Sequence, residues 1–186
     1  MLKGEKTRLR RLTEADADVI FPHWNRYELR QYLPSPLPST LDDVRDMIRS
    51  ANEKFAKRTA FTFGIETIES GHLIGFINLD TVSWVSRHAF VGVFAVVDPD
   101  VRGKGYGKDA MLQLLDFGFH MLDLHVIALW VETFNESAVK FYEKIGFSNR
   151  GTIRELAYRN GKREDVTVMD LLKTEFADKY GILPKE

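Results

Sequence analysis

Apolar positions along this chain follow two periods, one typical of helices and one typical of strands. Helical spacing predicts four amphipathic helices, whose buried stripes fall within residues 17–24, 44–55, 111–122 and 138–145. Thr13 with Asp16, and Thr40 with Asp43, are spaced as start signals for the first two helices. The proline-rich stretch 33–39 cannot be helix or central strand, because proline fixes φ and lacks an N–H donor.

Runs rich in β-branched and aromatic residues predict strands between and after these helices. They cover residues 7–12, 60–67, 72–79, 87–97 and 125–133, and two further runs flank Asn160-Gly161. The spacing of the three runs between 60 and 97 is typical of an antiparallel meander, and Asn-Gly is a strong hairpin signal. The run 125–133 is almost wholly apolar, as a central strand should be. This order of elements predicts an α/β (α+β) fold with a mixed sheet.

Composition limits the class of protein further. The chain has 186 residues, 44% of them hydrophobic and 28% charged, which suits one folded domain with a substantial core. A net charge of −1 gives no general attraction to DNA or RNA. The absence of cysteine rules out disulfides, thiolate-metal sites and a cysteine nucleophile, and no run is apolar enough to span a membrane. With no signal-peptide pattern at the start, we expect a cytoplasmic protein. The histidines show no paired metal-ligand spacing, so we expect no metal.

The stretch VDPDVRGKGYGK, residues 97–108, joins a strand to a helix through three glycines. Backbone N–H groups of such a loop, together with a helix N-terminus, can bind phosphate. The Walker and dinucleotide patterns both fit poorly, because no Gly-Lys-Ser/Thr follows and the glycines read GxGxG. Taken alone, the stretch is equally consistent with a simple turn that caps the helix.

Two downstream residues are also ambiguous when each is considered alone. Asn135 fits an ordinary helix N-cap, and Tyr142 lies on the apolar face of its helix like a core tyrosine. However, these residues belong to one ordered series within about fifty residues. The series is a strand, the loop RGKGYGK, a helix, an apolar strand and the segment NESAVKFYEKIGF.

In that combination the sequence resembles the GNAT superfamily of acyl-CoA-dependent N-acetyltransferases. The superfamily's loop pattern Q/R-x-x-G-x-G/A is matched by Arg102, Gly105 and Gly107. Its downstream pattern N-x-x-A-x-x-x-Y-x-x-x-G-F is matched by a second set of residues: Asn135, Ala138, Tyr142, Gly146 and Phe147. Looser likenesses, RLRRLTEAD near the start and YRNGKREDVTVM near the end, resemble the branch of ribosomal-protein-alanine and spermidine acetyltransferases.

The resemblance implies a single domain with a mostly antiparallel sheet and helices on both faces. Residues 1–59 would form the acceptor side, 60–147 the acetyl-CoA-binding core, 148–172 the C-terminal strands and 173–186 a tail. The last hairpin and the tail could pair with another copy, which leaves a homodimer open.

The resemblance also implies how acetyl-CoA would be bound. Amides from Gly103 to Lys108 would hold the pyrophosphate at the helix start, with the side chains of Arg102 and Lys104 as incidental charge. The backbone of Phe94, Ala95 and Val96 would pair with the pantetheine arm where the sheet splays apart. Asn135 would hydrogen-bond that arm beside Ala138, and Tyr142 would protonate the leaving thiolate.

One position departs from the family pattern. Many members of this branch have a glutamate general base in a stretch like R-x-A-E-x-G, and here the run R-H-A-F-V-G places Phe90 there. His88 on the same strand face and Glu132 on the following strand are the alternative bases, with Asp80 as a third.

The loss of a base favours acceptors whose amine is only weakly basic. Deprotonating an N-terminal amine at pH 7 costs about 1 kcal/mol, whereas a lysine or polyamine amine costs about 4–5 kcal/mol. We therefore expect an acetyl-CoA-dependent N-acetyltransferase that acts on a protein or peptide α-amine. The alternatives are a polyamine or other small-molecule amine, antibiotics included, and a non-catalytic acyl-CoA-binding regulator.

Overall fold

The computed structural model describes residues 2–32, 37–101 and 103–181. In this part of the chain, eight strands form one open sheet in the order β1-β2-β3-β4-β5-β6-β8-β7. The strands are β1 (Leu2–Lys3), β2 (Thr7–Arg10), β3 (Phe61–Thr67), β4 (Leu73–Ser83), β5 (His88–Val96), β6 (Val126–Glu132), β7 (Ser148–Arg159) and β8 (Lys162–Leu172). Neighbouring strands run antiparallel except β5 and β6, which are parallel. The mixed sheet expected from the sequence is therefore confirmed.

Six helices cover the two faces of this sheet within the same described residues. They are α1 (Ala17–Trp24), α2 (Tyr27–Arg30), α3 (Leu41–Ala56), α4 (Tyr106–Asp116), α5 (Glu136–Ile145) and α6 (Lys173–Tyr180). A π-helical turn, Phe117–Met121, continues α4. No helix in the described ranges is long and apolar enough to cross a bilayer.

Each face of the sheet has its own apolar core. The larger core lies under α4, α5 and α6 and includes the fully buried Met111, Leu114 and Phe176. The smaller core lies under α1 and α3, where Ile20 and Ile48 pack beside Phe76. Helices therefore lie on both faces, as the family resemblance implies, and the apolar stripes read from the sequence are the faces that pack.

The sheet splits between its two parallel strands. Hydrogen-bonded pairing of β5 with β6 ends at Val91 and Leu129, although β5 continues to Val96 and β6 to Glu132. A bulge in β5 accompanies the split, and the side chain of Asn78 stabilises it by accepting a 2.7 Å bond from the Val93 N–H. The backbone of residues 92–96 is thus left unpaired on the side that faces β6.

Three elements differ from the pattern in the sequence. The strand β1 and the one-turn helix α2 were not predicted, because both are too short to show a period. The segment assigned as a tail begins with α6, which is docked on the larger core through the buried Phe176. Residues 33–36 of the proline-rich stretch and 182–186 lie outside the described residues.

Candidate active site

The glycine-rich loop forms a turn that opens directly into α4. Gly103 and Gly105 have φ angles of +74° and +89°, in the left-handed region that favours glycine. Gly105 is the residue before the first turn of α4, so the amides that follow it point out of the helix N-terminus. Lys104 and Lys108 are exposed beside this terminus. Arg102 lies outside the described residues, so its place in the loop stays a prediction.

The loop is held close to the open edge of β5. A Cβ at Gly107 would come within 3.0 Å of the Phe94 ring, so the close approach of α4 to this strand depends on a glycine there. The ring of Phe94 in turn stacks on Phe141 of α5, with centroids 5.5 Å apart. The open backbone of residues 94–96, the start of α4 and the face of α5 therefore border the same cleft.

Two residues from the beginning of the chain support this loop and were missed from the sequence. The Lys6 ammonium donates to the Lys104 carbonyl oxygen at 2.8 Å and adds a cation next to Gly105. The Asp109 carboxylate accepts bonds from the backbone N–H groups of Glu5, Lys6 and Thr7 at 3.0, 3.1 and 2.8 Å. These partners are about a hundred residues apart in sequence, and no local pattern links them.

Asn135 caps α5, as the simpler interpretation of the sequence proposed. Its Oδ1 accepts bonds from the Ala138 N–H at 3.3 Å and from the Ser137 hydroxyl at 3.0 Å. No described residue accepts a bond from its Nδ2, so the amide group can cap the helix with its oxygen and still donate into the cleft.

Tyr142 lies half-buried on α5, with its ring against Phe141 and Phe147. Burial raises the pKa of its hydroxyl to about 12, and the negative charge of Glu132 contributes to the same shift. The hydroxyl therefore stays protonated over the whole physiological range and can donate a hydrogen bond. Its pKa lies above the value of about 10 for an ordinary phenol. Full proton transfer to a thiolate is therefore less favourable than it would be from an unperturbed tyrosine.

Aromatic rings occupy the position of the missing glutamate. Phe90 is half-buried between His88 and Trp130, with ring centroids 5.8 and 6.0 Å away. Asp80 lies directly opposite Phe90 on β4 and shares its face of the sheet, and one of its oxygens accepts a bond from the Thr81 N–H. His88 is the first residue of β5, about 10 Å along the strand from the split at Val91. The structure thus places Asp80 nearer the cleft than His88.

Glu132 is the last residue of β6 and carries an ion pair that the sequence did not reveal. Its Oε1 accepts a 2.6 Å bond from Arg159 Nη2, and both side chains are about 15% exposed. The pair lies at the split end of β6, close enough to Tyr142 for the carboxylate to act on the pKa of the phenol. Arg159 ends β7 and reaches Glu132 only because the last hairpin folds back beside β6.

Exposed aromatic residues that could line an acceptor groove lie in two places. Tyr32 stacks on Phe134 at 6.0 Å, and the hydroxyl of Tyr27 accepts a 3.3 Å bond from Asn160 Nδ2 in the last hairpin. The region around α2 therefore faces the split end of the sheet. Trp84 lies elsewhere. Its indole N–H donates to the Arg58 carbonyl oxygen at 3.0 Å and its ring packs against Phe61, so it does not line the cleft.

The cleft combines a phosphate-type loop, an open strand edge and a protonated tyrosine. An extended, phosphate-bearing arm fits these features, because the loop offers amides and cations while the strand edge offers unpaired backbone groups. The class of protein that this fold and site define is an acyltransferase.

Comparisons with known proteins identify the family. The profile of the acetyltransferase (GNAT) domain matches residues 6–148, and the chain belongs to this family of N-acetyltransferases. An uncharacterized N-acetyltransferase, p20, of Bacillus licheniformis is 28% identical over 95% of this chain and 98% of its own. A Bacillus subtilis protein provisionally named a ribosomal N-acetyltransferase is 29% identical over 75% of this chain and 74% of its own.

A solved structure shows the same fold. The spermidine N-acetyltransferase of Vibrio cholerae, crystallised with CoA and spermine, superposes with a TM-score of 0.80 at 27% identity. The match covers 91% of this chain and 97% of that one. The fold class and the resemblance to the branch of ribosomal and spermidine acetyltransferases are confirmed.

Proposed function

We propose that this enzyme transfers an acetyl group from acetyl-CoA to an α-amine, such as a protein or peptide N-terminus. The observation that carries the proposal is the aromatic cluster around Phe90, which fills the place of a glutamate base. The carboxylate at the end of β6, Glu132, is paired with Arg159. An acceptor with a weakly basic amine needs the least help from such a site.

The donor side follows from the geometry of the loop. The amides of residues 103–108 would bind the pyrophosphate of CoA, with Lys6, Lys104 and Lys108 as neighbouring cations. The open backbone at residues 94–96 would pair with the pantetheine arm, and Asn135 Nδ2 would donate to it. A CoA complex of the Vibrio cholerae relative supports this assignment, since the two chains share their fold.

The reaction would proceed by direct attack on the thioester. The lone pair of the amine forms a C–N bond to the carbonyl carbon, the C–S bond breaks, and the thiol leaves as a thiolate. Tyr142 stabilises the developing thiolate by a hydrogen bond and donates its proton to the sulfur. The proton that the attacking nitrogen loses then passes through solvent to the phenolate, so Tyr142 is regenerated and the products are the amide and the free thiol. Positioning of the two substrates in the cleft supplies much of the rate enhancement.

A polyamine acceptor is the second candidate, and the spermidine acetyltransferase among the structural neighbours favours it. The acidic start of α3 is the segment of this chain that could attract a polyamine, but its carboxylates already have partners. Asp43 caps the helix through Thr40, Asp42 pairs with Arg45 at 3.1 Å, and Asp46 pairs with Arg49. These contacts agree with Thr40 and Asp43 as the helix start signal and reduce the negative charge that this segment offers to a polyamine.

A thiol-release assay tests the proposal. Acetyl-CoA is supplied with an alanyl peptide, with spermidine, or with a peptide whose N-terminus is blocked and whose lysine is free. We expect the alanyl peptide to react fastest at pH 7. Fast turnover of spermidine or lysine with none on the peptide N-terminus would contradict the proposal.

The variant Phe90→Glu provides a second test, with Phe90→Leu as its control. The new carboxylate should raise the rate on the lysine peptide relative to the alanyl peptide by about a hundredfold, the lower end of the range for general-base catalysis. The leucine variant loses the same ring without gaining a base, so its preference should stay that of the wild type. Equal preferences in the two variants would show that the absent base does not set acceptor choice.

A further inference from the structure

A cavity of about 310 Å³ lies where β3 begins and β4 ends. Trp84, at one side of it, follows Ser83, which is about 26 Å along β4 from Gly75, the partner of Val96 at the open strand edge. The volume falls within the range of about 300–1,000 Å³ that is usual for small-molecule sites. Six apolar residues line the cavity, and none of them borders the cleft: Phe55, Phe61, Trp84, Phe117, Met121 and Leu122.

Aromatic rings form the floor and three walls of this cavity. The Phe61 ring is buried, and the rings of Phe55, Trp84 and Phe117 stand at 73–88° to it, with centroids 5.0, 6.3 and 5.2 Å away. Trp84 and Met121 remain 41% and 54% exposed, so part of this apolar lining faces solvent. A flat ring system suits such walls, because it can lie against ring faces and ring edges at once.

Another part of the wall comes from the π-helical turn that continues α4. The Leu122 N–H donates to the Phe117 carbonyl oxygen, five residues back, at 3.0 Å, where an α-helix would bond four residues back. Residues four and five positions after Phe117 both line the cavity as a result. Single π turns are frequent at functional sites. This turn belongs to the cavity and not to the proposed donor site, which lies at the other end of α4.

Arg58 is the charged residue that lines the cavity, and its backbone is unusual. It follows the C-cap of α3 with a φ of +57°, in the left-handed region. Bonds from the Arg58 N–H to the Phe55 oxygen and from the Thr59 N–H to the Lys54 oxygen form a Schellman motif, in which glycine usually takes this position. The indole N–H of Trp84 holds the Arg58 carbonyl oxygen. A strained arginine where glycine would fit indicates a role for the side chain.

The charges near the mouth of the cavity favour an anion. Arg58 is exposed, and no described residue accepts a hydrogen bond from its guanidinium group. The Arg11 guanidinium lies over the Phe55 ring, 4.7 Å from its centroid. On the opposite side, the charge of Asp123, next to Leu122, is offset by Arg87 at 3.2 Å. A guanidinium group binds a carboxylate well, because its donors match the two oxygens in pairs.

We propose that this cavity is a second ligand site, separate from the acetyl-transfer cleft, and that it binds an aromatic carboxylate. The ring system packs against Phe55, Phe61 and Trp84, and the carboxylate binds Arg58 at the mouth. The ligand is bound and not transformed. The site is independent of the identity of the amine acceptor, so it goes beyond the proposed function.

Calorimetric titration of the enzyme with three probes tests the ligand class. Indole-3-acetate has the flat ring and the charge, indole-3-acetamide has the ring without the charge, and cyclohexylacetate has the charge without a flat ring. We expect one indole-3-acetate per chain with a Kd of about 1 mM or lower, and at least about tenfold weaker binding of the other two. Absence of indole-3-acetate binding, or equal affinity for the amide, would overturn the inference.

A repeat of the titration at saturating CoA tests the location of the site. Because the cavity and the cleft share no residues, the Kd for indole-3-acetate should stay within about twofold of its value without CoA. Loss of binding in the presence of CoA would place the probe in the donor site and contradict the inference. Neither result depends on which amine the enzyme acetylates.

The variant Arg58→Gly separates ligand binding from folding. Glycine fits the left-handed backbone, so we expect a higher Tm together with at least about tenfold weaker binding of indole-3-acetate. Trp84→Leu removes one ring wall and should also weaken binding. Lys57→Met is the matched control, because it removes a neighbouring cation that does not line the cavity and pairs with Glu53 at 4.0 Å. Its affinity should stay within about twofold of the wild type.

Titration with CoA verifies that every variant retains a folded donor site. Unchanged affinity for indole-3-acetate in Arg58→Gly would overturn the inference, because the carboxylate would then bind elsewhere. An equal loss in Lys57→Met would also overturn it, because general positive charge would then account for the binding.

Discussion

At the scale of single residues, the site combines a tyrosine that remains protonated with a strand position that has lost its carboxylate. Tyr142 is held on α5 between apolar rings and a nearby negative charge, and both disfavour the phenolate. Phe90 is held among aromatic rings, where a base is expected from the family pattern. In the proposed reaction, Tyr142 acts on the leaving thiolate, and the lack of a carboxylate at Phe90 limits which amines can react.

Replacing Tyr142 by phenylalanine removes the hydrogen bond to the leaving thiolate. We expect kcat to fall by about 10²-fold, as for the loss of one donor to a developing negative charge, while the affinity for CoA measured by calorimetry stays within about twofold. Tyr180→Phe is the control, because it also removes one tyrosine hydroxyl, whose 2.8 Å bond goes to the Ile145 carbonyl oxygen at the end of α5. Equal activity of Tyr142→Phe and wild type would remove the acid role of Tyr142.

The raised pKa of Tyr142 also has a consequence for stability. A group whose pKa is higher in the folded state contributes stability below its unfolded pKa, near 10, and loses this contribution as the pH rises towards the folded value of about 12. The unfolding free energy of the wild type should therefore fall faster between pH 10 and 12 than that of Tyr142→Phe. The excess slope is at most about 1.4 kcal/mol per pH unit. Chemical denaturation of both proteins at several pH values measures it, and parallel curves would contradict the assignment.

At the scale of elements, the donor site depends on how α4 begins. Gly105 places its backbone in the left-handed region, and the amides that follow it form the free helix N-terminus. The turn between β1 and β2 holds this start in place, since Asp109 binds three of its backbone N–H groups. The loop is thus held in a defined conformation, which the proposed binding of CoA phosphates requires.

Gly105→Ala should weaken CoA binding. A Cβ in the left-handed region costs about 1–2 kcal/mol, and relief of that strain would turn the amides away from the phosphate. We expect the Kd for CoA to rise at least tenfold. Gly161→Ala is the matched control, because Gly161 also has a positive φ, of +81°, and lies in the β7–β8 turn with no described atom within 4 Å of a Cβ placed there. The control should lose similar stability yet bind CoA normally. Similar Kd values in the two variants would show that the loop does not bind the cofactor.

At the scale of the whole molecule, the split between β5 and β6 joins the donor and acceptor sides. Binding of CoA there would couple both halves of the sheet and should stabilise the fold by mass action, by about 2.7 kcal/mol at a hundredfold excess over Kd. Thermal unfolding with CoA should therefore show a higher Tm, and ATP with Mg²⁺ should shift it much less. An equal shift by ATP would favour a general nucleotide site over one that also holds the pantetheine arm.

Much of the fold follows from local patterns that the sequence displays. Periodic apolar residues predict the helices α1, α3, α4 and α5 and the strands from β3 to β8. The turn-forming pair Asn160-Gly161 predicts the last hairpin. The glycine loop, Asn135 and Tyr142 indicate an acyl-CoA donor only together, through the family pattern that they match, because each alone also fits a turn, a helix cap or a core tyrosine. The short α2 and β1 have no such signal, since one turn or two residues cannot show a period.

The sequence by itself determined the family and the donor, whereas the tertiary structure decided what surrounds the acceptor. Glu132 read alone is a candidate base, and only the folded hairpin shows that Arg159 neutralises it from 27 positions away. Lys6 and Asp109 likewise reach the loop region across long separations. The physical reason is that side chains from distant segments meet only after the sheet has formed, so their pairing leaves no periodic trace in the sequence.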